Sequence, residues 1–534
     1  MGTASRAEQP GDAMPPTLTA AIDKKFAAFD RRDSAGCALG IYQDGRIRYA
    51  RGYGMADVGR GEPLSATTVF EVASITKQFV AGVVGLLAEQ RVLALDEDVR
   101  KYVPEMPDFG ARITLDQLIH HTSGIPDFPA YQAVTGVRTP DTVEAQLTVL
   151  GKRAELDFTP GSAFSYKNIE YNLLRLVAER ATHQTAADLF AARIWGPLGM
   201  SRTAMRNRSD APPPGVAIGH RLEDGRLVPI ERRPAGSVFT SVADLQRWDE
   251  NFYTGAVGGA AWVRRMVSPT RLSDGTPSSY GFGNWIGTYR GLPVVRHDGI
   301  ADGYRTYLIR FPTRHASVAI LCNVESARPV VLAHDIADLL LAGTFPDGDA
   351  TKPQQNPERA ERWAGLYVDV LRGGSREVVA DGTNLRVAYY GDPTFVPLSR
   401  TRFRNRNGSV ELSFTIGRGG AVTMEQQFPI GGEAETFARV APWAPAPSEL
   451  ADFAGTYENA ALAATHRISA TADGLSVQLP GEPTPRPFKP LTKDIFEHPR
   501  LSVVQFTRDR EGRVTGYVVH LPRAWRIPFT RSGQ

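Results

Sequence analysis

The sequence predicts a multidomain α+β protein, in which an antiparallel sheet flanked by helices is followed by two antiparallel β-barrels. Three observations predict this fold class. Within residues 18–344, strand-like segments come early and late, with helical segments between them. Residues 345–358 are polar and rich in proline, which is typical of a linker. Beyond them, short strand-like runs are separated by turns at intervals of roughly eight to twelve residues, as in all-β domains.

The domain boundaries follow from these changes, because 534 residues are too many for a single core. In chain order, we expect a disordered or tag-like N-terminus at 1–17, a first folded domain at 18–344, the linker at 345–358, one barrel at 359–441 and a second barrel at 442–534. The N-terminus has no apolar segment of the kind found in signal peptides. A cytoplasmic protein is therefore expected, or an exported one whose leader has been removed.

The first folded domain begins with a helix, a hairpin and a second helix. Apolar residues recur at helical spacing over 18–32. The strand-like runs GCALGIY and RIRYARGYG follow, and the tripeptide QDG between them predicts a hairpin turn. The segment ITKQFVAGVVGLLAEQ is apolar on most sides, which predicts a buried helix.

The end of this domain returns to strands. A helix start is expected at FTSVADLQRW, where Ser241 or Thr240 can cap the helix. Three strand-like runs and a closing helix follow, at LPVVRHDG, YRTYLIRF, ASVAILCNV and PVVLAHDIADLLLAG. Early and late strands around a helical middle predict one antiparallel sheet with helices packed on it.

The region after the linker repeats itself. AGLY at 364–367 recurs as AGTY at 454–457, and the dipeptide DG at 381 recurs at 473. Five such features keep an offset of 90 to 93 residues. This register predicts two related barrel modules.

Composition argues against several classes of function. The net charge is only +3 and the arginines are scattered, so no nucleic-acid partner is expected. No segment reaches the roughly 18 continuous apolar residues of a membrane span. Cys37 and Cys322 are the only cysteines, and each lies in an apolar run where a small buried residue is expected. We therefore expect no disulfide framework, no metal and no cofactor.

The stretch EVASITKQFV places Ser74 three residues before Lys77, a spacing that puts both side chains on one face of a helix. A serine hydroxyl needs a base beside it to act as a nucleophile, and an amine whose pKa is lowered by burial can be that base. The alternative is that Ser74 caps the helix while Lys77 reaches solvent. A lone S-x-x-K pattern occurs about once by chance in a chain of this length.

Two further elements could carry chemistry. In FSYKNIEYNLL, Tyr166 can pass protons between a nucleophile and a leaving group, and the amide of Asn168 can orient Lys77 or a substrate carbonyl. Taken alone, this tripeptide is more typical of a strand end followed by a turn.

The other element is VVRHDGIADGY, where His297, Asp298 and Gly299 end a strand. Gly299 allows a backbone or a ligand to approach closely. The backbone N–H groups of Ile300 and Ser74 could converge on a developing oxyanion. By itself, a histidine before a turn is more often a surface residue.

Together the three elements resemble the serine β-lactamase and penicillin-binding protein superfamily. Its members carry S-x-x-K, then Y-x-N or S-x-N, then K-T-G or H-x-G in this order. The tyrosine and histidine variants point to the branch of class C β-lactamases, D-alanyl-D-alanine carboxypeptidases, family VIII esterases and D-aminopeptidases. Further similar stretches are LIHHTSGIPDF, FTPGSAFSY, IWGPLGM, SVFTSVADLQRW and YGFGNW. The resemblance covers residues 18–343.

The resemblance implies a serine hydrolase with a β-lactamase-like catalytic domain, which works through an acyl-enzyme without metal or cofactor. Ser74 would be the nucleophile, and Lys77 and Tyr166 the proton-transfer pair. Contacts to the substrate and the oxyanion would come from Asn168, His297, Asp298, Gly299 and Ile300. The expected partner is a small-molecule or peptide substrate, such as a D-amino acid amide, a D-peptide or an ester.

The two barrels are similar to the lipocalin-like barrels of D-aminopeptidases, in which a loop of the last barrel reaches the active site. Scaffolding or contacts in an oligomer, such as a homodimer, would explain the barrels equally well. The sequence departs from the family at Asp298, where threonine, serine or glycine is common. A carboxylate there would repel a substrate carboxylate, which would disfavour penicillin-like substrates. Alternatively, Asp298 points away and accepts a backbone N–H in the turn.

Other classes fit the sequence less well or share its residues. An α/β-hydrolase needs G-x-S-x-G, and no serine here has both glycines. A metallohydrolase needs clustered ligands, whereas the ten histidines are dispersed. An acyltransferase or peptide cyclase would use the same acyl-enzyme, and a non-catalytic regulatory protein would keep the fold without turnover.

Overall fold

The computed structural model describes residues 14–137, 142–152, 155–206, 214–230, 236–346, 359–388, 393–406 and 408–533. Most of the expected N-terminal segment and most of the expected linker lie outside these residues. The chain divides into two units. The first comprises Met1–Ala94, Val177–Thr270 and Ser279–Gly348, and the second comprises Leu95–Leu176, Arg271–Ser278 and Asp349–Gln534.

The helices and strands are as follows. The α-helices are α1 Pro16–Lys25, α2 Thr76–Glu89, α3 Leu115–Ile119, α4 Phe128–Thr135, α5 Val143–Leu150, α6 Asn168–Thr182, α7 Ala186–Phe190, α8 Gly196–Leu198, α9 Val242–Thr254, α10 Gly259–Met266, α11 Pro329–Leu340 and α12 Pro447–Leu450. A π-helical turn spans Ala191–Trp195. Short 3₁₀ helices span Ala73–Ile75, Val99–Lys101, Pro312–Arg314, Ala360–Trp363, Arg418–Gly420 and Ala451–Phe453.

The strands of the first unit are β1 Cys37–Gln43, β2 Arg46–Tyr53, β3 Met55–Asp57, β4 Glu62–Pro63, β5 Phe70–Glu71, β6 Ala204–Arg206, β7 His220–Glu223, β8 Arg226–Pro229, β9 Ser237–Thr240, β10 Trp285–Tyr289, β11 Leu292–Ala301, β12 Tyr304–Phe311 and β13 Ala316–Cys322. The first barrel contains β14 Gly365–Asp369, β15 Gly374–Asp381, β16 Asn384–Val387, β17 Thr394–Pro397, β18 Arg402–Asn405, β19 Glu411–Ile416, β20 Val422–Gln427 and β21 Glu435–Val440. The second contains β22 Gly455–Asn459, β23 Ala464–Thr471, β24 Gly474–Gln478, β25 Arg486–Pro487, β26 Lys489–Thr492, β27 Ile495–His498, β28 Ser502–Arg508, β29 Val514–Leu521 and β30 Ala524–Arg531.

The first unit is built on a six-stranded antiparallel sheet in the order β10-β11-β12-β13-β1-β2, which confirms that early and late strands share one sheet. The predicted hairpin joins β1 to β2 through Asp44 and Gly45, both in the left-handed region with φ of 50° and 75°. Successive residues of β12 face opposite sides of the sheet. On one side Tyr307 lies 3.2 Å from His334 of α11, and on the other Arg310 donates to Asp249 of α9.

The predicted helices of this unit are present, with one change of length. In α2, every residue from Thr76 to Leu87 is buried, and Ser241 caps α9 by accepting the backbone N–H of Asp244. The first helix ends at Lys25 instead of continuing to residue 32. It ends where Phe26 stacks on Tyr53, with 4.3 Å between ring centres, and the chain turns towards the sheet.

A disulfide joins Cys37 and Cys322, which corrects the expectation of two unlinked cysteines. The reason is strand register. In the antiparallel pair of β1 and β13, Cys37 stands directly opposite Cys322, with 4.0 Å between the two Cα atoms. Both residues are fully buried. Sequence spacing alone does not reveal this pairing, because 285 positions separate the two cysteines.

The second unit contains the two barrels that the repeat predicted. The first is a closed eight-stranded barrel, and the second is a nearly closed sheet of nine strands. The repeated tyrosines have equivalent contacts. Tyr367 donates to the carbonyl of Trp363 over 2.9 Å, and Tyr457 donates to the carbonyl of Phe453 over 2.8 Å. In both barrels, therefore, the first strand is fastened to the 3₁₀ helix before it. Of the described helices, none is long and apolar enough to cross a membrane.

Candidate active site

Ser74 and Lys77 meet in the first unit at the start of α2. The Lys77 ammonium donates a hydrogen bond of 3.1 Å to the Ser74 hydroxyl. Ser74 lies in the 3₁₀ turn that leads into α2, directly after Ala73, whose φ of 47° is in the left-handed region. An alanine in this conformation is strained, and such strain often marks functional turns.

The surroundings of Lys77 are buried. The residue is 6% exposed, and the α2 residues that follow it are buried as far as Leu87. The pair therefore has the proximity that a nucleophile and its base require, and it lies at the buried start of a helix.

His297 lies on β11, is 1% exposed and uses both ring nitrogens. Its Nδ1 is 2.7 Å from the carbonyl oxygen of Asp298, and its Nε2 is 3.0 Å from the hydroxyl of Tyr280. Because a carbonyl oxygen can only accept, Nδ1 carries the proton and Nε2 accepts from Tyr280. Burial lowers the pKa of His297 to about 4, against the opposing effect of the Asp298 carboxylate and with a smaller contribution from Lys77. His297 is thus a neutral imidazole at pH 7.

The two faces of β11 differ in what they contact. Gly299 lies against the turn before Ser74, since a Cβ added to it would be 2.3 Å from the carbonyl oxygen of Val72. His297 shares this face by strand alternation, whereas Asp298 shares the other face with Arg296. The carboxylate of Asp298 accepts a 3.1 Å hydrogen bond from Arg296. The structure therefore gives Asp298 an ion-pair partner, Arg296, that was not among the predicted site residues.

Ile300 lies on a part of β11 whose outer edge is open. The strand β10 pairs with β11 only as far as Arg296, while β12 pairs with residues 295–301 on the other side. Within the described residues, no strand covers the β10 side of 297–301. The Ile300 side chain is 67% exposed. An open strand edge next to the nucleophile's turn can offer backbone N–H groups to a substrate.

Tyr166 and Asn168 lie in the second unit, at the start of α6. The backbone N–H groups of Asn168 and Ile169 donate to the carboxylate of Asp127, over 3.1 and 3.2 Å. A carboxylate is favourable at this end of a helix, because the first backbone N–H groups lack partners within the helix. Asp127 thus fixes the position of the Y-x-N turn from a distant part of the sequence.

Lys167, between these two residues, is buried and tied to the second barrel. Its ammonium pairs with Asp157 and donates a 2.7 Å hydrogen bond to the carbonyl of Arg523. Asp157 also accepts the backbone N–H of Trp525 over 2.9 Å. The turn between β29 and β30, formed by Pro522 and Arg523, is therefore held against the Y-x-N turn.

The ring of Tyr166 lies between an imidazole and a cation. Its centre is 4.5 Å from that of His121, and the guanidinium carbon of Arg523 lies 5.0 Å over it. His121 pairs with Glu170, and burial raises the pKa of Glu170 well above its usual value. A cation over an aromatic face is attractive, so Arg523 helps to hold the Tyr166 ring in place.

The residues that support the predicted ones were not named from the sequence. Tyr280 lies in the stretch YGFGNW, and His121 and Asp127 lie in LIHHTSGIPDF, so these three were visible only as parts of similar stretches. Asp157 and Arg523 carried no local signal, because their contacts join segments that are separate in the sequence. Among the described residues, no cluster of histidine, cysteine or carboxylate side chains could hold a metal ion.

The comparisons with known proteins agree with this description. A family model described as Beta-lactamase matches residues 22–342. The D-aminopeptidase of Cereibacter sphaeroides is 29% identical over 374 residues, which cover 67% of this chain and 68% of that protein. Penicillin-binding protein 4* of Bacillus subtilis is 28% identical over 410 residues, which cover 71% of this chain and 90% of that protein.

Two solved structures share the fold. The octameric penicillin-binding protein homologue from Pyrococcus abyssi has a TM-score of 0.54 at 24% identity, and the match covers 79% of this chain and 99% of that one. The D-amino acid amidase from Ochrobactrum anthropi SV3 has a TM-score of 0.51 at 21% identity, with coverage of 61% and 97%.

Proposed function

The chain belongs to the β-lactamase family, and we propose that it is a serine hydrolase that cleaves an amide or ester through an acyl-enzyme. The observation that carries this proposal is the 3.1 Å hydrogen bond that joins the buried Nζ of Lys77 to the Ser74 hydroxyl. A serine becomes a nucleophile when a base of this kind is within hydrogen-bond reach.

In the proposed reaction, Lys77 acts in its neutral amine form and takes the hydroxyl proton while the Ser74 oxygen attacks the carbonyl carbon. The backbone N–H groups of Ser74 and Ile300 stabilise the oxyanion. Tyr166 delivers a proton to the leaving amine or alcohol, and Asn168 orients the substrate and Lys77. Water then attacks the acyl-enzyme ester, which releases a carboxylic acid and restores the Ser74 hydroxyl.

We assign the neighbouring residues supporting roles. His297, neutral and fixed by Tyr280, lines the pocket and supports Tyr166 without adding charge. Gly299 lets β11 approach the turn that carries Ser74. Arg523, which lies over the Tyr166 ring, stabilises the phenolate form that proton transfer requires.

The proposed substrate class is a D-amino acid amide, a D-peptide or a short ester. The D-aminopeptidase relatives and the amidase neighbour support the amide, and the carboxylate of Asp298 argues against substrates with their own carboxylate near β11. β-Lactams fit this arrangement least well.

The test is active-site labelling. The purified chain is treated with a fluorophosphonate probe, and the modified peptide is identified by mass spectrometry. We expect one adduct, on Ser74, and we expect Ser74→Ala to lose both labelling and turnover while its far-ultraviolet circular dichroism stays unchanged. Ser268→Ala is the matched control, because that hydroxyl is exposed and bonds only its own helix. A labelled Ser74→Ala protein, or one that still turns over substrate, would refute the assignment.

A further inference from the structure

A cleft lies at the seam of the second barrel, away from Ser74 in sequence. The strands β25 and β26 form the two edges of the nine-stranded sheet, and Phe488 stands between them. The cleft has a volume of about 680 Å³, which is within the usual range for small-molecule sites. Its wall includes Phe488, Lys489, His498, Arg500, Leu521 and Pro522.

His498, which lines this cleft, has one ring nitrogen, Nε2, that can donate a hydrogen bond and has no acceptor among the described residues. The residue is 1% exposed, and its Nδ1 accepts the backbone N–H groups of Arg500 and Leu501 over 3.2 and 3.1 Å. Burial lowers the pKa of His498 to about 4, so the ring is neutral at pH 7 and its one proton sits on Nε2. In the part of the chain that the structure describes, this buried Nε2 has no hydrogen-bond partner. A buried donor without an acceptor is costly, and a ligand oxygen would satisfy it.

The charges around the cleft indicate which kind of ligand oxygen would accept a hydrogen bond from His498. Lys489 is 3.9 Å from Glu497, and its side chain is 62% exposed. Glu497 also accepts a 2.6 Å hydrogen bond from Ser375. Arg500 is held by Glu482 at 2.8 Å. Both carboxylates thus have fixed partners, whereas the Lys489 ammonium can turn towards an incoming anion.

We propose that this cleft binds a monocarboxylate with an apolar body. The carboxylate would accept from His498 Nε2 and approach Lys489, while the body would contact Phe488, Leu521 and Pro522. The wall also contains the Glu497 carboxylate, which Ser375 and Lys489 hold. A neutral alcohol would satisfy His498 but leave Lys489 unused, and an ammonium has no lone pair to accept from His498 Nε2. The match of one buried donor, one mobile cation and an apolar wall selects this class.

The cleft also adjoins the turn that holds the Y-x-N residues. Pro522 lines the cleft, and the next residue, Arg523, accepts from Lys167 and lies over the Tyr166 ring. A ligand against Pro522 therefore acts on the turn that positions Tyr166. This second part rests on the proposed function, since a carboxylic acid is also the product of that reaction.

Binding is tested by isothermal titration calorimetry on the full-length Ser74→Ala protein, so that turnover plays no part. The probe is hexanoate, with hexanol and hexylamine as comparisons. We expect hexanoate to bind, His498→Asn to weaken it about tenfold or more, and Lys489→Gln to weaken it several-fold. Asparagine can still accept the backbone N–H groups but has no counterpart of Nε2. Lys493→Gln, on an exposed turn outside the cleft, should bind as the parent does.

No heat with hexanoate up to about 10 mM, or equal affinity in His498→Asn, would overturn the site. Coupling is tested on the active chain by measuring kcat and KM with and without hexanoate. We expect a change of kcat that disappears in His498→Asn. If hexanoate binds but kcat stays constant, the coupling is wrong and the site stands. If neither the parent nor any variant has activity, the proposed hydrolase function is refuted, and calorimetry still tests whether the cleft binds hexanoate.

Discussion

The Lys167 ammonium donates a 2.7 Å hydrogen bond to the backbone carbonyl of Arg523, although 356 positions separate the two residues. Lys167 is the middle residue of the Y-x-N turn, and Arg523 belongs to the turn between the last two strands. A backbone carbonyl cannot be altered by replacing its side chain, so this contact fixes position independently of the residue type at 523. The second barrel is therefore a structural support of the Y-x-N turn.

Removing the Lys167 charge should destabilise the protein strongly. Lys167→Met leaves the buried carboxylate of Asp157 without its cation, and breaking such a pair costs about 3–5 kcal/mol. Urea unfolding followed by fluorescence measures the loss. Lys101→Met is the matched control, because the Lys101 side chain is exposed and the loss of its pair with Glu97 should change stability far less. Equal effects of the two variants would contradict the structural role.

Arg523→Gln should lower kcat by about two- to fivefold, with KM changing less. The glutamine keeps a polar side chain but removes the cation over the Tyr166 ring, an interaction of about 0.5–1 kcal/mol at an exposed site. Steady-state kinetics of the parent and the variant at one pH checks this. Arg510→Gln, on an exposed turn of the same barrel, should leave both parameters unchanged.

Asp298→Thr should widen the substrate range. Because Arg296 already neutralises part of the Asp298 charge, we expect a gain of about tenfold in kcat/KM for a cephalosporin, and little change for a D-alanine amide. Arg296→Gln should act in the opposite direction, since it leaves the carboxylate unpaired. If neither substrate distinguishes Asp298→Thr from the parent, this residue does not determine specificity.

The Cys37–Cys322 disulfide should stabilise the first unit against unfolding. Closing so long a loop stabilises a fold by roughly 2–4 kcal/mol. We expect the denatured but unreduced protein to contain no titratable thiol, and Cys37→Ala/Cys322→Ala to unfold at lower temperature. Two reactive thiols in the unreduced protein would show that the bond does not form.

Buried histidines should make the protein less stable in mild acid. Burial lowers the pKa of His334 to about 3, and that of His297, His466, His498 and His520 to about 4. The unfolded chain binds protons near pH 6.5, where these folded imidazoles do not. The contribution of these histidines to the free energy of unfolding is therefore fully present above about pH 6.5. It falls towards pH 4, by up to about 1.4 kcal/mol per pH unit for each histidine.

Urea unfolding at about pH 7.5 and about pH 5 measures this fall in stability. His334→Phe, which removes one titrating group from the first unit, should make the difference between the two values smaller. An unchanged difference would mean that His334 does not bind a proton on unfolding.

The sequence was most informative where the determining residues are close together. The hairpin turn at Asp44 and Gly45 needs positive φ at both positions, and the residue types reveal this directly. Ser74 and Lys77 are one helical turn apart, so their contact follows from spacing alone.

Contacts between distant segments could not be predicted in this way. The pairing of Cys37 with Cys322 depends on the register of β1 against β13, which no local pattern specifies. The support of Lys167 by Arg523 depends on which barrel turn faces α6. The ion pair of Asp298 with Arg296 is different, because it could have been predicted from the sequence: residues two apart on a strand share a face.

The two barrels are copies of one module, but they are not equivalent in their last connection between strands. Both barrels fasten their first strand with the same tyrosine, but their last connections differ. The second barrel turns between β29 and β30 with two residues, whereas residues 428–434 join β20 to β21 in the first. Both connections nevertheless act on the same lysine. The short turn of the second barrel accepts a hydrogen bond from Lys167, and Glu433, in the longer connection of the first barrel, interacts electrostatically with it. One buried cation in the Y-x-N turn is therefore shared by two copies of one module, which reach it through connections of different length.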